Sequence, residues 1–421
     1  MRFFKFVLIP AVLFLLPGYA SAGWVQQQSG TTAWLNSVYF INPQTGWAVG
    51  DSSFILRTTD GGSHWERHLV DPSVIGSSVI WFWDSSLGFV AGIQGGAQSC
   101  LYKSSDGGLT WRFIPQSFNE PCYGLVFTTP QKGWLVGYVL ATGDGASGSL
   151  YQTSDGGESW IMRESGPYAF RDVAFADSLF GWYTADNHAI FNSSNGYMKQ
   201  TTDGGSTWQT VGSGMAYGTL HFTDPFFAWR SWRMFVPPGP DLWGIEKTTD
   251  RGVHWSGIYY GEGYIMPPVA PVDTLKGWIM LYDSLMGTRD GGTSWLRQQP
   301  AGGMRDIFFT DSLNGWIVGY NGLILHTTDG GSGVWEDPAP LRLLPKTSCL
   351  TVAPNPFTIF ARIPGHSSER FALYDVSGRK VGVYRGDRIG EGLRAGLYFL
   401  KYQEMLKQVQ HDEIVRIVKV R

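Results

Sequence analysis

The sequence predicts an all-β protein: a seven-bladed β-propeller over residues 23–336, followed by a small C-terminal β-sandwich. Two observations carry this. A unit reading Thr/Ser-x-Asp-Gly-Gly-x-x-Trp recurs seven times, with Arg251 for the first Gly in the fifth copy and one extra residue before Trp335 in the seventh, and all 19 Trp fall before residue 336. Composition agrees: 421 residues hold 55 Gly and 22 Pro, with 16% charged and 15% aromatic. A disordered chain is poor in aromatics and rich in charge. A helical bundle loses roughly 0.5–1 kcal/mol at each interior Gly. Turn-rich β-structure is what remains.

Residues 1–22 read as an export signal. Arg2 and Lys5 give a positive start, Phe6 to Leu16 is apolar apart from Pro10, and Ala20-Ser21-Ala22 is a small-residue cleavage site. The apolar run is too short for a ~20-residue membrane span, and no later stretch is apolar enough to cross a bilayer. The expected mature chain starts at Gly23, is exported to the exterior or outer-membrane surface, and has no transmembrane segment. Of three cysteines, Cys100 and Cys122 are far enough apart in sequence to pair; a disulfide and two buried thiols are both compatible with the spacing.

The repeats set the propeller. Their aspartates are Asp60, Asp106, Asp155, Asp203, Asp250, Asp290 and Asp329, spaced by 46, 49, 48, 47, 40 and 39 residues. Ahead of each Asp comes an alternating segment such as Val173-Ala-Phe175. A Gly-aromatic pair follows (Gly46-Trp47, Gly88-Phe89, Gly133-Trp134, Gly181-Trp182, Gly277-Trp278, Gly315-Trp316, with Ala228-Trp229 as the variant), then a short third segment. Four period-2 runs between turn residues make a four-stranded antiparallel sheet. One such sheet cannot bury both faces, whereas seven arranged radially can. In the Asp turn, Gly-Gly permits positive φ, and the carboxylate and the Thr or Ser hydroxyl can serve the turn's own amides. One carboxylate per turn is too few for calcium, so the seven aspartates are expected as turn residues.

Eight Trp-led segments compete for seven outer-strand places. The segment after Trp335 runs into Pro338 and Pro340, which cannot donate to a ladder. Trp24 to Gln28 is therefore expected to complete the last blade and close the ring.

These repeats resemble the Asp boxes of bacterial-neuraminidase-like proteins. With the Gly-Trp segments they look most like propellers of the photosystem II stability/assembly factor type, over roughly residues 24 to 335. The resemblance implies the fold but not an activity, because sialidases, xyloglucanases, receptors and assembly factors share the box.

The tail differs. Pro338, Pro340 and Pro345 mark a linker, taken as residues 337–347. Residues 23–336 carry 16 Lys+Arg against 27 Asp+Glu, a net −11, while residues 348–421 carry 12 against 7, a net +5. An acidic propeller argues against nucleic acid as a partner. Within 348–421, Asn355-Pro-Phe357, Tyr374-Asp-Val-Ser-Gly-Arg379, Gly396-Leu-Tyr-Phe-Leu400 and Ile417-Val-Lys419 resemble, in that order, the C-terminal sorting domain of type IX secretion substrates. That resemblance implies an immunoglobulin-like sandwich and the type IX machinery as a partner.

Chemistry is sparse. Arg362-Ile363-Pro364 matches a sialidase motif but lies in the tail, away from any propeller channel. Gly143 to Gly148 has dinucleotide-site lettering without a following helix. The eight His suggest no nucleophile and base, and nothing calls for a cofactor. Loop lengths do point somewhere. From the Gly-aromatic residue to the Asp takes 17, 21, 21 and 21 residues in repeats two to five, against 13, 12 and 13 in repeats one, six and seven. This raises a rim opposite the Asp turns, where recognition commonly sits. Trp229, Arg230, Trp232, Arg233 and Trp243 are its expected hot spots. The predicted function is a secreted, non-enzymatic propeller binding a protein or glycan there; an envelope glycoside hydrolase of sialidase or xyloglucanase type is the alternative.

Overall fold

Repeats one to six each fold into a four-stranded antiparallel sheet, since their four alternating runs are separated by turns that reverse the chain. In the computed structural model, blade 1 runs Leu35–Phe40, Gly46–Gly50, Phe54–Thr58 and Glu66–Leu69, paired in that order. The first strands of blades 2 to 7 are Val74–Phe82, Cys122–Phe127, Ala169–Phe175, Ala216–Phe222, Val269–Pro271 and Met304–Phe309. The structure describes residues 23–94, 98–116, 118, 120–140, 146–186, 196–213, 215–234, 241–263, 267–281, 284–298 and 303–331. In the tail it describes 370–375, 379–385, 387–389, 391–394, 396–402 and 414–419. The expected signal, the linker, Trp335, Arg362 to Pro364 and the motif at 355–357 lie outside these residues.

Blade 7 is completed from the N-terminus. Val25–Gln26 pairs with Ile324–Thr327, setting Val25 opposite His326 and Gln26 opposite Leu325. Two glutamines show how fully this short strand acts as an outer strand. Trp24 Nε1 donates to Gln298 Oε1 (2.6 Å), and Gln298 Nε2 donates to the Gly331 carbonyl in the next Asp turn (2.7 Å). Trp65 Nε1 likewise donates to Gln27 Oε1 (3.1 Å), and Gln27 Nε2 to the Gly61 carbonyl (2.9 Å). Gln27 thus does at the closing seam what Gln298 does between blades 6 and 7.

The Gly-aromatic pair explains the core between blades. Its aromatic ring stacks on the last residue of the next blade's first strand: Trp47 on Phe82 (3.5 Å between centroids), Phe89 on Phe127 (4.6 Å), Trp182 on Phe222 (4.5 Å) and Trp278 on Phe309 (4.0 Å). That second ring in turn lies flat on the Gly of its own blade, so a Cβ at Gly46 would run into Phe40. The motif needs Gly because a ring occupies the place of its side chain. Trp47, Trp134, Trp182, Trp229, Trp278 and Trp316 are fully buried, each such burial stabilising by roughly 1.5–3 kcal/mol.

Chain contacts separate the propeller from the tail. The described tail residues form one four-stranded antiparallel sheet in the order Lys380–Arg385, Arg370–Asp375, Gly396–Tyr402, Ile414–Lys419, with Phe371 and Leu373 buried. The second layer of the expected sandwich is not among them.

Candidate functional site

The Asp turns occupy one face of the propeller, and their geometry is local. Thr58 Oγ1 donates to Asp60 Oδ1 (2.9 Å) and accepts the Gly62 amide (2.8 Å), while the His64 amide donates to Asp60 Oδ1 (2.9 Å). Asp60 Oδ2 meets the His64 ring at 2.6 Å; in the turns from Asp106 to Asp290 it is the Thr110, Ser159, Thr207 or Ser294 hydroxyl, at 2.6–2.7 Å, or the His254 ring. Gly61 and Gly62 sit at φ 72° and 90°, conformations an L side chain rarely adopts. The amides of His64, Thr207 and His254, followed by their side chains, hold Asp60, Asp203 and Asp250 down at about 2. Asp329 accepts from Thr327 in the same way (2.9 Å). In the six turns from Asp60 to Asp290, both carboxylate oxygens are engaged by the turn itself. Among the described residues, no group of three or more His, Cys, Asp or Glu is placed to hold a metal.

The structure revises the expected rim. In blades 2, 3 and 5 much of the extra length continues the second and third strands, to Gly88–Gln94 with Gln98–Ser104, Gly133–Leu140 with Ala146–Thr153, and Ala228–Met234 with Leu242–Thr248. Trp229, Arg230, Trp232, Arg233 and Trp243 lie on those blade 5 strands and are buried, at 0–6% exposure. Trp229 is the blade's inter-blade aromatic, packed on Trp295 (5.6 Å), and Trp243 stacks on Tyr259 (5.5 Å). Arg230 pairs with Glu246 (2.6 Å) and lies over Trp255 (4.1 Å); Arg233 faces Asp241 (3.7 Å). These side chains consolidate blade 5. Cys100 and Cys122 are two buried free thiols, not a disulfide; burial pushes Cys100 up to about 11 and Cys122 higher still.

A feature the sequence reading passed over organises the opposite face. In blades 1 to 5 and 7 the ladder slips by one residue near the start of the first strand. Such bulges re-aim side chains. In blades 4 and 7 the slipped residues read Arg171-Asp172 and Arg305-Asp306, the same Arg-Asp pair before Val173-Ala-Phe175 and Ile307-Phe-Phe309. Aligning those two segments would have found it.

The aspartates turn inward and clasp neighbouring blades. Asp306 Oδ2 accepts the Val38 amide of blade 1 (2.9 Å) and its Oδ1 accepts the Ile307 amide (2.9 Å). Asp172 accepts the Leu220 amide of blade 5 (2.8 Å) and that of Val173 (2.8 Å). Burial raises both to about 6. A raised carboxyl is what an acid catalyst needs, but here both oxygens of each group hold backbone amides.

The arginines meet aromatic rings. Arg171 lies over Tyr138 (4.6 Å), donates to its hydroxyl (2.7 Å) and is paired with Asp186 (2.9 Å); Tyr138 stacks on half-exposed Tyr123 (4.4 Å). Arg305 is exposed, with its guanidinium 5.4 Å from the ring of Tyr320 and 5.9 Å from that of Trp34, and these rings are 4.7 Å apart. Trp34 is 46% and Tyr320 40% exposed. The backbone fixes both: Gly322 donates to the Ala33 carbonyl (2.8 Å), Asp51 to that of Trp34 (2.8 Å), and Tyr320 to that of Gly303 (2.8 Å). Arg305 makes no ion pair with a described residue. The result is a rigid aromatic platform with a cation beside it, at the seam of blades 7 and 1.

Comparison with known proteins agrees with this architecture. Residues 16–161 match the family model of the photosynthesis system II assembly factor YCF48. The solved structure "YCF48 bound to D1 peptide" is 19% identical, with a TM-score of 0.53, covering 73% of this chain and 97% of that one. YCF48 from Cyanidioschyzon merolae is 20% identical, with a TM-score of 0.55, covering 73% and 99%. An ancestral GH74 enzyme is 12% identical, with a TM-score of 0.54, covering 94% and 64%. At these identities the likeness establishes a shared propeller fold. A comparison with curated proteins finds no match.

Proposed function

We propose that this is a non-enzymatic binding propeller that takes a peptide segment of a protein partner on the face opposite the Asp turns. The observation that carries the reading is the Trp34–Tyr320–Arg305 platform, two exposed rings and a cation that makes no ion pair with a described residue, held by backbone hydrogen bonds. Exposed Trp, Tyr and Arg on a rigid scaffold are the side chains that most often dominate binding energy. A peptide carboxylate beside an apolar side chain complements them. The D1 peptide bound by YCF48, a propeller of the same fold, supports a protein partner over a glycan. The GH74 neighbour raises the hydrolase alternative, against which stands the engagement of both oxygens of Asp172 and Asp306 by amides.

Export by residues 1–22, and surface delivery of the propeller by residues 348–421 through type IX machinery, complete the proposal. Its support is the motif order of the tail. Incubating the full chain with xyloglucan, β-glucan and sialosides should give no turnover, whereas an array of carboxylate-bearing peptides should retain the chain; turnover without peptide retention would overturn the reading. Ending the chain at Glu336 should leave the near-ultraviolet Trp signal unchanged and abolish surface delivery.

A further inference from the structure

We infer that the groove between blades 3 and 4 is a binding site for a neutral saccharide, separate from the peptide platform. The groove is open, about 450 Å³ in volume, and is walled by Ser165 and Tyr168 on one side and Tyr197, Thr210 and Ser213 on the other. That volume lies within the usual range of small-ligand sites.

The wall chemistry narrows the ligand. Tyr168 and Tyr197 meet edge to face, 5.1 Å apart at 78°, and Tyr197 packs in turn on Phe170 and Tyr183. The rings are therefore fixed before anything binds. A tyrosine ring offers an apolar face for the C–H groups of a pyranose and a hydroxyl for its oxygens. Gly166 keeps the approach clear, since a Cβ there would stand 3.5 Å from the Tyr197 hydroxyl in the same groove.

Charge argues for a neutral ligand. Lys199 is the cation of the groove, and it is paired across the blade seam with Glu164. An anion would have to displace Glu164 from Lys199, and a cation would have to displace Lys199, each leaving a partly buried charge unpaired. A polyol can instead use the spare donors of the ammonium and the spare acceptors of the carboxylate without breaking the pair. Beneath the groove, the buried hydroxyl of Tyr183 lies beside Glu164 and Tyr197, so polar groups continue below the groove floor. A purely apolar ligand would strand the hydroxyls of Ser165, Thr210 and Ser213.

The test uses the full chain and cellotetraose, maltotetraose, xylotetraose, mannotetraose and chitotetraose as probes, read by saturation-transfer NMR and calorimetry. At least one should bind with roughly millimolar to micromolar affinity, unchanged in high salt because no net charge is exchanged. Tyr168→Ala should weaken it about tenfold and Tyr168→Phe should retain most of it, with near-ultraviolet spectra confirming the fold. Thr210→Val, on the exposed outer strand, gives a second readout with a smaller loss. Binding of none of the five, equal binding by Tyr168→Ala, or binding confined to acidic sugars and lost in salt would overturn the inference. Peptide retention on the platform should be unaffected by all three substitutions, so the two sites fail or stand independently.

Discussion

The indole of Trp316, in the last blade, stacks on the ring of Phe40, in the first, with 3.6 Å between centroids and 12° between planes. Trp316 Nε1 also donates to the Gly61 carbonyl in the first Asp turn (3.2 Å). Trp47 repeats both contacts one blade on, with Phe82 and the Gly107 carbonyl (2.9 Å). The seam that joins the two ends of the ring is thus built like an internal seam.

Trp316→Ala should therefore cost about 3–5 kcal/mol, as should Trp47→Ala, measured as a shift in urea midpoint. If the closing seam were a loose contact, Trp316→Ala would cost far less than Trp47→Ala.

Gln27 directly follows a two-residue outer strand, so its side chain carries much of the closure. Gln27→Ala leaves the Trp65 indole without its acceptor and removes one of the two donors to the Gly61 carbonyl, and should cost about 1–3 kcal/mol. Gln298→Ala should cost a similar amount, in the same assay. No loss in Gln27→Ala would mean that the N-terminal strand rests on the ring without holding it.

Thr58 is buried and serves both Asp60 and the Gly62 amide. Thr58→Val keeps the shape and strands a buried N–H, so a destabilisation of about 1–3 kcal/mol is expected. Calorimetry with and without calcium should show the same melting temperature in the parent chain, because the carboxylate is already engaged within the turn.

The pH response has opposing parts. Burial lowers His221 to about 4, so its stability contribution is full above its unfolded value near 6.5 and is lost as pH falls towards about 4; His326 acts in the same direction. Asp172 and Asp306, raised to about 6, bind protons more tightly when folded, so the fold gains stability as pH falls from about 6 towards 3.8. Asp60, Asp203 and Asp250 contribute fully above about 4 and lose their contribution only as pH drops towards 2. Removing the histidine term with His221→Phe should leave a chain whose melting temperature falls less between pH 7 and 5 than the parent's. A steeper fall in the variant would contradict the assignment.

What the sequence disclosed depended on whether the signal was local. The Asp turns, the Gly-aromatic pairs and the Trp24–Gln28 closure are written in short motifs, and the blades follow from their repetition. The blade 5 side chains misled because Trp229, Arg230, Trp232, Arg233 and Trp243 have the composition of a hot spot. Their fate was decided by Glu246, Asp241, Trp255 and Trp295, which meet them only across strands and blades. The Arg-Asp pairs at 171–172 and 305–306 were legible as a repeat. Their roles were not, because a bulge sends the two neighbours to different tasks. Trp34 and Tyr320 are 286 positions apart and carry no shared motif.

The most direct test of the account is the affinity of the full chain for the best-retained carboxylate-bearing peptide, measured for the parent and for three variants. Trp34→Ala and Arg305→Ala should each weaken binding by about tenfold or more. Leu109→Ala, at an exposed residue of an Asp turn on the other face, should leave it unchanged. Equal affinity in all four proteins, or loss in Leu109→Ala alone, would contradict the claim that the partner is held on the face opposite the Asp turns.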